Sequence, residues 1–248
     1  AMSGEPKLDL SELSDRIGIM LWSHPSSGAG YRYKEVFQKA GFSDKSSEIM
    51  ATRLMNLSRF PLSVVTNDAP RHINRPQINW QETVIYEAHV KGLTWNNPHI
   101  PEHERGTYKA LGHQSTIDYL KKIGVNAIEL LPIHEFATEP AIWQRGRRNH
   151  WGYNAIAFSA PHRAYAATTD PISELQQAVD RLHENGIEVI LDVVYNHTAE
   201  GGPGGPHITF KGIDNRNWYR HGGTDHYIDN TGCGNTFSAG KPHGVRLV

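Results

Sequence analysis

The chain has 248 residues, 25 basic and 26 acidic side chains, and a formal net charge of −1. That length suits one barrel-sized domain or two smaller ones. The balanced charge argues against nucleic acid and against an anionic membrane surface as partners. No apolar run approaches the roughly 20 residues of a membrane span, the opening residues do not read as a signal peptide, and the one cysteine, Cys233, excludes an internal disulfide and fits a reducing, cytoplasmic compartment.

Residues 7–60 read as short helical segments. Leu8, Leu10, Leu13, Ile17 and Met20 recur near one helical face, with Ser11 or Asp9 as cap. Tyr33–Ala40 and Ser47–Leu57 are further short helices, and Pro25–Gly28 is a loop. Residues 1–65 are therefore expected to form a helical N-terminal segment with no chemical motif. Residues 66–80, rich in Asn, Asp, Pro and Arg, read as a linker ending at Trp80.

From residue 81 the pattern alternates between strand and helix. Thr83–Val90 is a predicted strand, followed by a long polar loop through Gly92, Pro98 and Pro101. Ser115–Ile123 is a helix closed by Gly124, and Val125–Ile133 is the second strand. A long polar loop runs to about Pro171. Ser173–Asn185 is the next helix, ended by Asn185-Gly186, and Ile187–Tyr195 is the third strand. This order implies a parallel sheet with helical crossovers. Both strand-to-helix loops are long and both helix-to-strand turns are tight, so function is expected at the carboxyl edge of the sheet.

The third strand is the most informative stretch. Glu188 to Val194 is an almost continuous apolar run, which reads as a strand buried on both faces. It ends in Asp192, Asn196 and His197, three polar side chains that are costly to bury without partners. They mark either a ligand site at the mouth of a parallel β/α fold or a strand end that happens to be polar. In the preceding loop, Asn149-His150-Trp151-Gly152-Tyr153-Asn154 sets two aromatics around a glycine. Aromatic faces stack on the C–H faces of pyranose rings, and amides and imidazoles bond hydroxyls; the same residues also suit loop anchors on a barrel rim. Asp214–Tyr219 and Gly232–Thr236 read only as ordered loops. The chain has 15 histidines, and His113, His134, His150, His162, His197, His207 and His226 fall in loop-like contexts without metal-site spacing. No metal and no cofactor is expected.

Taken together, these segments resemble the α-amylase superfamily of (β/α)8 glycoside hydrolases. The resemblance rests on Val84–Thr94, Arg105-Gly106-Thr107-Tyr108, Gly124 through Pro132, Trp151-Gly152-Tyr153-Asn154, and Asp192 through His197. Tyr86–Thr94 and Thr231–Thr236 resemble bacterial glycogen debranching enzymes and isoamylases in particular. The resemblance covers about residues 78–248 and implies an incomplete barrel at 81–248, holding about strands one to three. It implies that Tyr153 stacks on the sugar at the cleaved bond and that His197 hydrogen-bonds that sugar. It implies that Asp192 orients the site, typically by pairing with an arginine on strand four, and that Asn196 supports it. With Trp151, Tyr153 and His197 bind substrate; Asp192 and Asn196 support the site.

The departures matter as much. Family members use a carboxylate nucleophile on strand four and a general acid on strand five, a pair that must stand roughly 5 Å apart in a retaining mechanism. Beyond His197 the acids are Glu200, Asp214, Asp225 and Asp229, and none follows a β-branched run in an arginine-x-aspartate context. No catalytic residue is assigned. The chain is expected to be an inactive fragment of a glycogen debranching enzyme, the complete form hydrolysing α-1,6 branch linkages of glycogen or limit dextrin. The rivals are another superfamily activity, such as a branching transferase or trehalose-forming hydrolase, and a non-catalytic glucan-binding fragment. Such debranching enzymes usually carry a β-sandwich before the barrel, which the helical pattern of residues 1–60 does not match. Three strands cannot close a barrel, so self-association through open sheet edges is also expected.

Overall fold

Three four-residue runs, Ile85–Ala88 (β1), Ala127–Leu130 (β2) and Glu188–Leu191 (β5), form a parallel sheet in the order β1-β2-β5. The computed structural model describes residues 73–223 and 226–247, all within a unit spanning Pro70–Val248. The helices expected in residues 1–65 lie outside the described residues. Ile85, Ala127 and Glu188 stand in register, as do Ala88, Leu130 and Leu191. The ladder runs one residue further where Asp192 N–H donates to the Leu130 carbonyl at 2.9 Å. Asn126 fixes the start of β1, accepting from Val84 N–H at 2.7 Å and donating to the Glu82 carbonyl at 2.8 Å.

Alternation along each strand sends successive side chains to opposite faces. Tyr86, Ala88, Ile128, Leu130 and Val189 belong to the main core. Helices α3 (Gln114–Lys122) and α5 (Pro171–Glu184) supply the other side of it. Ile117, Leu120 and Leu182 are fully enclosed there, each burial contributing about 1.5–3 kcal/mol. His113 caps α3, its Nδ1 accepting from Ser115 N–H at 3.2 Å. Asp170 caps α5 through Ser173 N–H at 3.0 Å, with Pro171 preset at the first helical position. The buried Glu174 carboxylate accepts from the N–H groups of Lys109, Ala167 and Thr168 at 2.8–3.0 Å. It thereby ties α5 to α2 (Tyr108–Leu111) and to the loop before α5.

Several expectations need correction. The first strand stops at Ala88, and Val90–Thr94 is a helix (α1). His89 ends the strand: its Nδ1 accepts from the N–H groups of Lys91 and Gly92, each at 3.0 Å, which is a helix cap. The long loop after β2 holds an antiparallel pair, His134–Phe136 (β3) with Ala155–Pro161 (β4), and a short helix α4 (Pro140–Trp143). His134 is accordingly a buried strand residue, not a loop histidine. The third parallel strand is not buried on both faces. Among the described residues β5 pairs only with β2, and Leu191 and Val193 are about 40 % exposed. Phe210–Trp218 (α6) is helical, broken at Asp214, where an ordered loop is expected; Pro242–Leu247 forms α7.

A second cluster, Ala155, Phe158, Phe210, Tyr219, Tyr227 and Phe237, packs β4 against α6 and the segments after it. Glu200 lies at its heart, fully enclosed. Its carboxylate accepts from the N–H groups of Ile208, Thr209 and Lys211 at 2.7, 2.8 and 2.9 Å and from the Tyr219 hydroxyl at 2.5 Å. Among the described residues no helix is long and apolar enough to cross a membrane.

Candidate functional site

The site forms where the loop after β2 meets the end of β5. Gly152 makes the meeting possible. It has φ +82°, and a Cβ there would stand 2.8 Å from the Pro132 carbonyl oxygen and 3.0 Å from the Phe136 ring, so only glycine fits. Asn149 folds the loop locally. Its Oδ1 accepts from Gly152 N–H at 3.1 Å, and its Nδ2 donates to the Ala137 carbonyl at 3.4 Å and to Glu139 at 3.3 and 3.4 Å.

His89 anchors the same loop to the end of β1. Because Nδ1 accepts two backbone N–H groups, the ring proton sits on Nε2, which donates to the His150 carbonyl at 2.7 Å. The two imidazoles stack 4.1 Å apart. Burial lowers the His89 pKa, with the backbone bond to His150 pulling the other way, so the neutral form is favoured. The sequence reading missed this anchor. The available signal was its position between a strand and Val90–Thr94, where a side-chain acceptor caps a helix.

The result is an open cleft of about 660 Å³ lined by Trp151, Tyr153 and His197, with Asn149, His150, Asn154 and Cys233 beside them. Trp151 is 59 % exposed and Tyr153 39 %. The other two expected residues stand directly behind. The Tyr153 hydroxyl donates to Asp192 Oδ2 at 2.6 Å. Asn196 Oδ1 lies 2.8 Å from His197 Nδ1. All five residues expected at the site are therefore brought together. The carboxylate of Asp192 pushes the Tyr153 hydroxyl up to about 12, helped by partial burial and by the charges of Glu87 and Glu129 on the open face of the sheet. That tyrosine stays neutral throughout the physiological range. Burial lowers the pKa of His197 against the upward pull of the Tyr153 backbone and of Asp229.

A carboxamide oxygen can only accept, so the contact with Asn196 puts the proton of the neutral His197 ring on Nδ1 and the lone pair on Nε2. The cleft thus offers two aromatic surfaces and a neutral imidazole acceptor, a combination suited to a hydroxyl-rich ring with apolar C–H faces. The described acids beyond His197 are engaged elsewhere. Glu200 is the buried hub of the second cluster. Asp214 accepts from Asn217 N–H and Nδ2 at 3.2 and 2.7 Å. Asp229 accepts from the N–H groups of Thr231, Gly232 and Gly234 at 2.9–3.1 Å. Asp225 lies outside the described residues.

Known proteins resemble this chain in both sequence and fold. The family described as alpha amylase, catalytic domain, matches residues 95–235. A glycogen operon protein GlgX homolog of Mycobacterium bovis is 49 % identical over 180 residues, covering 70 % of this chain and 25 % of its own length. The chain thus spans about a quarter of that curated relative. Among solved structures, a pullulanase from Bacillus acidopullulyticus matches with TM-score 0.59 at 31 % identity, over 70 % of this chain and 22 % of that one. A pullulanase from Paenibacillus barengoltzii, in complex with maltohexaose and alpha-cyclodextrin, matches with TM-score 0.59 at 27 % identity, over 70 % of this chain and 28 % of that one. Matched over more than half its length by the family, this chain belongs to the alpha-amylase catalytic-domain family.

Proposed function

We propose that this chain forms the sugar-holding part of a debranching catalytic domain, comprising about strands one to three of a (β/α)8 barrel. The complete form would hydrolyse α-1,6 branch linkages of glycogen-like glucan with retention. The observation that carries this reading is the convergence of Trp151, Tyr153 and His197 on one cleft, backed by Asp192 and Asn196. Trp151 and Tyr153 stack on glucose units, and His197 Nε2 accepts from a sugar hydroxyl. Asp192 holds Tyr153 in place, and Asn196 fixes the tautomer of His197. A retaining hydrolysis needs a nucleophile and a general acid roughly 5 Å apart. Glu200, Asp214 and Asp229 are each committed to backbone N–H groups, which supports the reading that none of them fills those roles. We place the protein in the cytoplasm, with Cys233 as an exposed free thiol.

Affinity electrophoresis through gels containing glycogen, paired with a reducing-end assay, tests this function. The 248-residue chain should be retarded by glycogen and release no reducing ends. Tyr153→Ala and His197→Ala should each relieve the retardation. Reducing-end release that disappears on mutating Asp192 or another acid would overturn the non-catalytic assignment. Migration unaffected by glycogen would overturn the glucan site.

A further inference from the structure

The cleft carries a charge that a neutral glucan does not call for. Arg145, Arg147 and Arg148 line it together with Trp151 and Tyr153, and among the described residues Glu139 is the one carboxylate in the lining. Glu139 is already engaged by the Asn149 amide. Among the described residues none of the three arginines is ion-paired. The concentration is local: three guanidinium groups fall within four residues of a chain whose overall charge is −1.

Their placement follows from the backbone. After α4, the N–H groups of Arg145 and Arg147 both donate to the Ile142 carbonyl, at 3.1 and 3.2 Å, and that of Gly146 donates to the Trp143 carbonyl at 2.9 Å. Gly146 takes φ +66°, and the wrap closes the helix in the manner of a Schellman turn. The turn is thus a hydrogen-bonded structure that sets arginines on both sides of the glycine in the lining of the cleft.

We propose that this lining binds a phosphate monoester carried on the glucan chain, so that the cleft accepts phosphorylated α-glucan in preference to the unmodified polymer. The inference rests on the glucan reading of the cleft. Three guanidinium groups set against one carboxylate leave a charge of about +2, complementary to a phosphate monoester, which carries about −1.5 to −2 near neutral pH. The planar guanidinium fork matches two phosphate oxygens at once. The adjoining aromatic side chains supply what a free anion would not use, a surface for the glucose unit that bears the ester.

The test uses amylopectin phosphorylated enzymatically on a known fraction of its glucose 6-hydroxyls, the same polymer after phosphatase treatment, and orthophosphate. The expected result is at least about tenfold tighter binding of the phosphorylated polymer at low salt, in keeping with one charge-assisted interaction, and erosion of that preference by added salt. The triple variant Arg145→Gln/Arg147→Gln/Arg148→Gln should bind both polymers alike, with the affinity of the wild-type chain for the dephosphorylated one. That retained affinity also shows that the variant is folded. Equal binding of the two polymers by the wild-type chain, or a preference that survives in the triple variant, overturns the inference and leaves the glucan reading intact. Orthophosphate bound as tightly as the polymer-borne ester overturns it in favour of a free-anion site. Binding to neither polymer overturns the glucan reading and this inference together.

Discussion

The hydroxyl of Tyr153 donates to the carboxylate of Asp192 at 2.6 Å, joining residues 39 positions apart. One stands in the loop following β2 and β3, the other at the end of β5. Their bond closes that loop over the carboxyl edge of the sheet. Asp192 is expected from the family resemblance to pair with an arginine on a later strand, and here its partner is the aromatic residue proposed to carry the sugar.

Replacing Tyr153 by Phe keeps the ring and removes this bond. A hydrogen bond to a charged group contributes about 1.5–3 kcal/mol when its geometry is held, and partial exposure reduces that. Glycogen affinity should fall severalfold in Tyr153→Phe and further in Tyr153→Ala, where the stacking surface goes too. Alkaline titration gives an independent reading. The folded pKa of about 12 lies above the ordinary value of 10.0 for a tyrosine. The stabilisation is therefore complete below pH 10 and fades as pH rises towards 12. The stability difference between wild type and Tyr153→Phe should shrink across that window. A constant difference, with Tyr153 of the wild type titrating near the ordinary value of 10.0, would show that the bond does not form in solution.

His197 titrates in the opposite sense. Its pKa is lowered by burial, so the neutral form dominates at pH 7. The associated stabilisation is present above the ordinary imidazole pKa of 6.5 and is lost as pH falls through the depressed folded value. Protonation also removes the Nε2 acceptor. Glycogen binding should be flat from pH 8 to 7 and should decline in acid, and the His197 ring should titrate by NMR with a midpoint below 6.5. His197→Gln, which retains a hydrogen-bonding end, should bind better than His197→Ala. Binding that rises on acidification would reverse the assignment of His197 as an acceptor.

The parallel sheet was legible because Val125–Ile133 and Ile187–Tyr195 are apolar runs bounded by helix caps and glycines, signals set by neighbours in sequence. Their true extents, Ala127–Leu130 and Glu188–Leu191, are shorter, since pairing depends on partner strands that sequence alone does not show. The antiparallel pair of β3 and β4 was missed for the same reason. Its strands are separated by 18 residues containing a helix, and its register is irregular. At the site, Trp151, Tyr153, Asp192, Asn196 and His197 stood out as residue types. The Tyr153–Asp192 bond and the bond from His89 to the His150 carbonyl did not, because both join remote segments.

Glu200 provides a test of what is structural in this region. Its carboxylate holds three backbone N–H groups and the Tyr219 hydroxyl in a fully enclosed position. Alanine there strands those donors, each orphaned group costing about 1–3 kcal/mol. Glu200→Ala should unfold the region around α6 or lower the melting temperature by many degrees. Glu200→Gln, still able to accept through its oxygen, should be milder while leaving glycogen retardation in place. Loss of glycogen binding in a Glu200→Gln chain of unchanged stability would instead place this acid in the substrate site.

The last expectation concerns the sheet edges. β1 and β5 each pair with β2 and with no other strand among the described residues. Their outer edges carry backbone N–H and C=O groups ready for another strand. Apolar side chains lie alongside: Val84 and Ile85 at one edge are 48 % and 41 % exposed, and Leu191 and Val193 at the other are 41 % and 40 % exposed. An edge of this kind recruits a second copy unless charge or a covering element blocks it. The weight-average mass in sedimentation velocity should therefore climb with concentration, and Leu191→Lys/Val193→Lys should return the chain towards monomer, because an edge lysine must be desolvated before a neighbouring strand can pair. A chain that stays monomeric at every concentration, with amide exchange as slow in β1 and β5 as in β2, would mean that both edges are covered in solution.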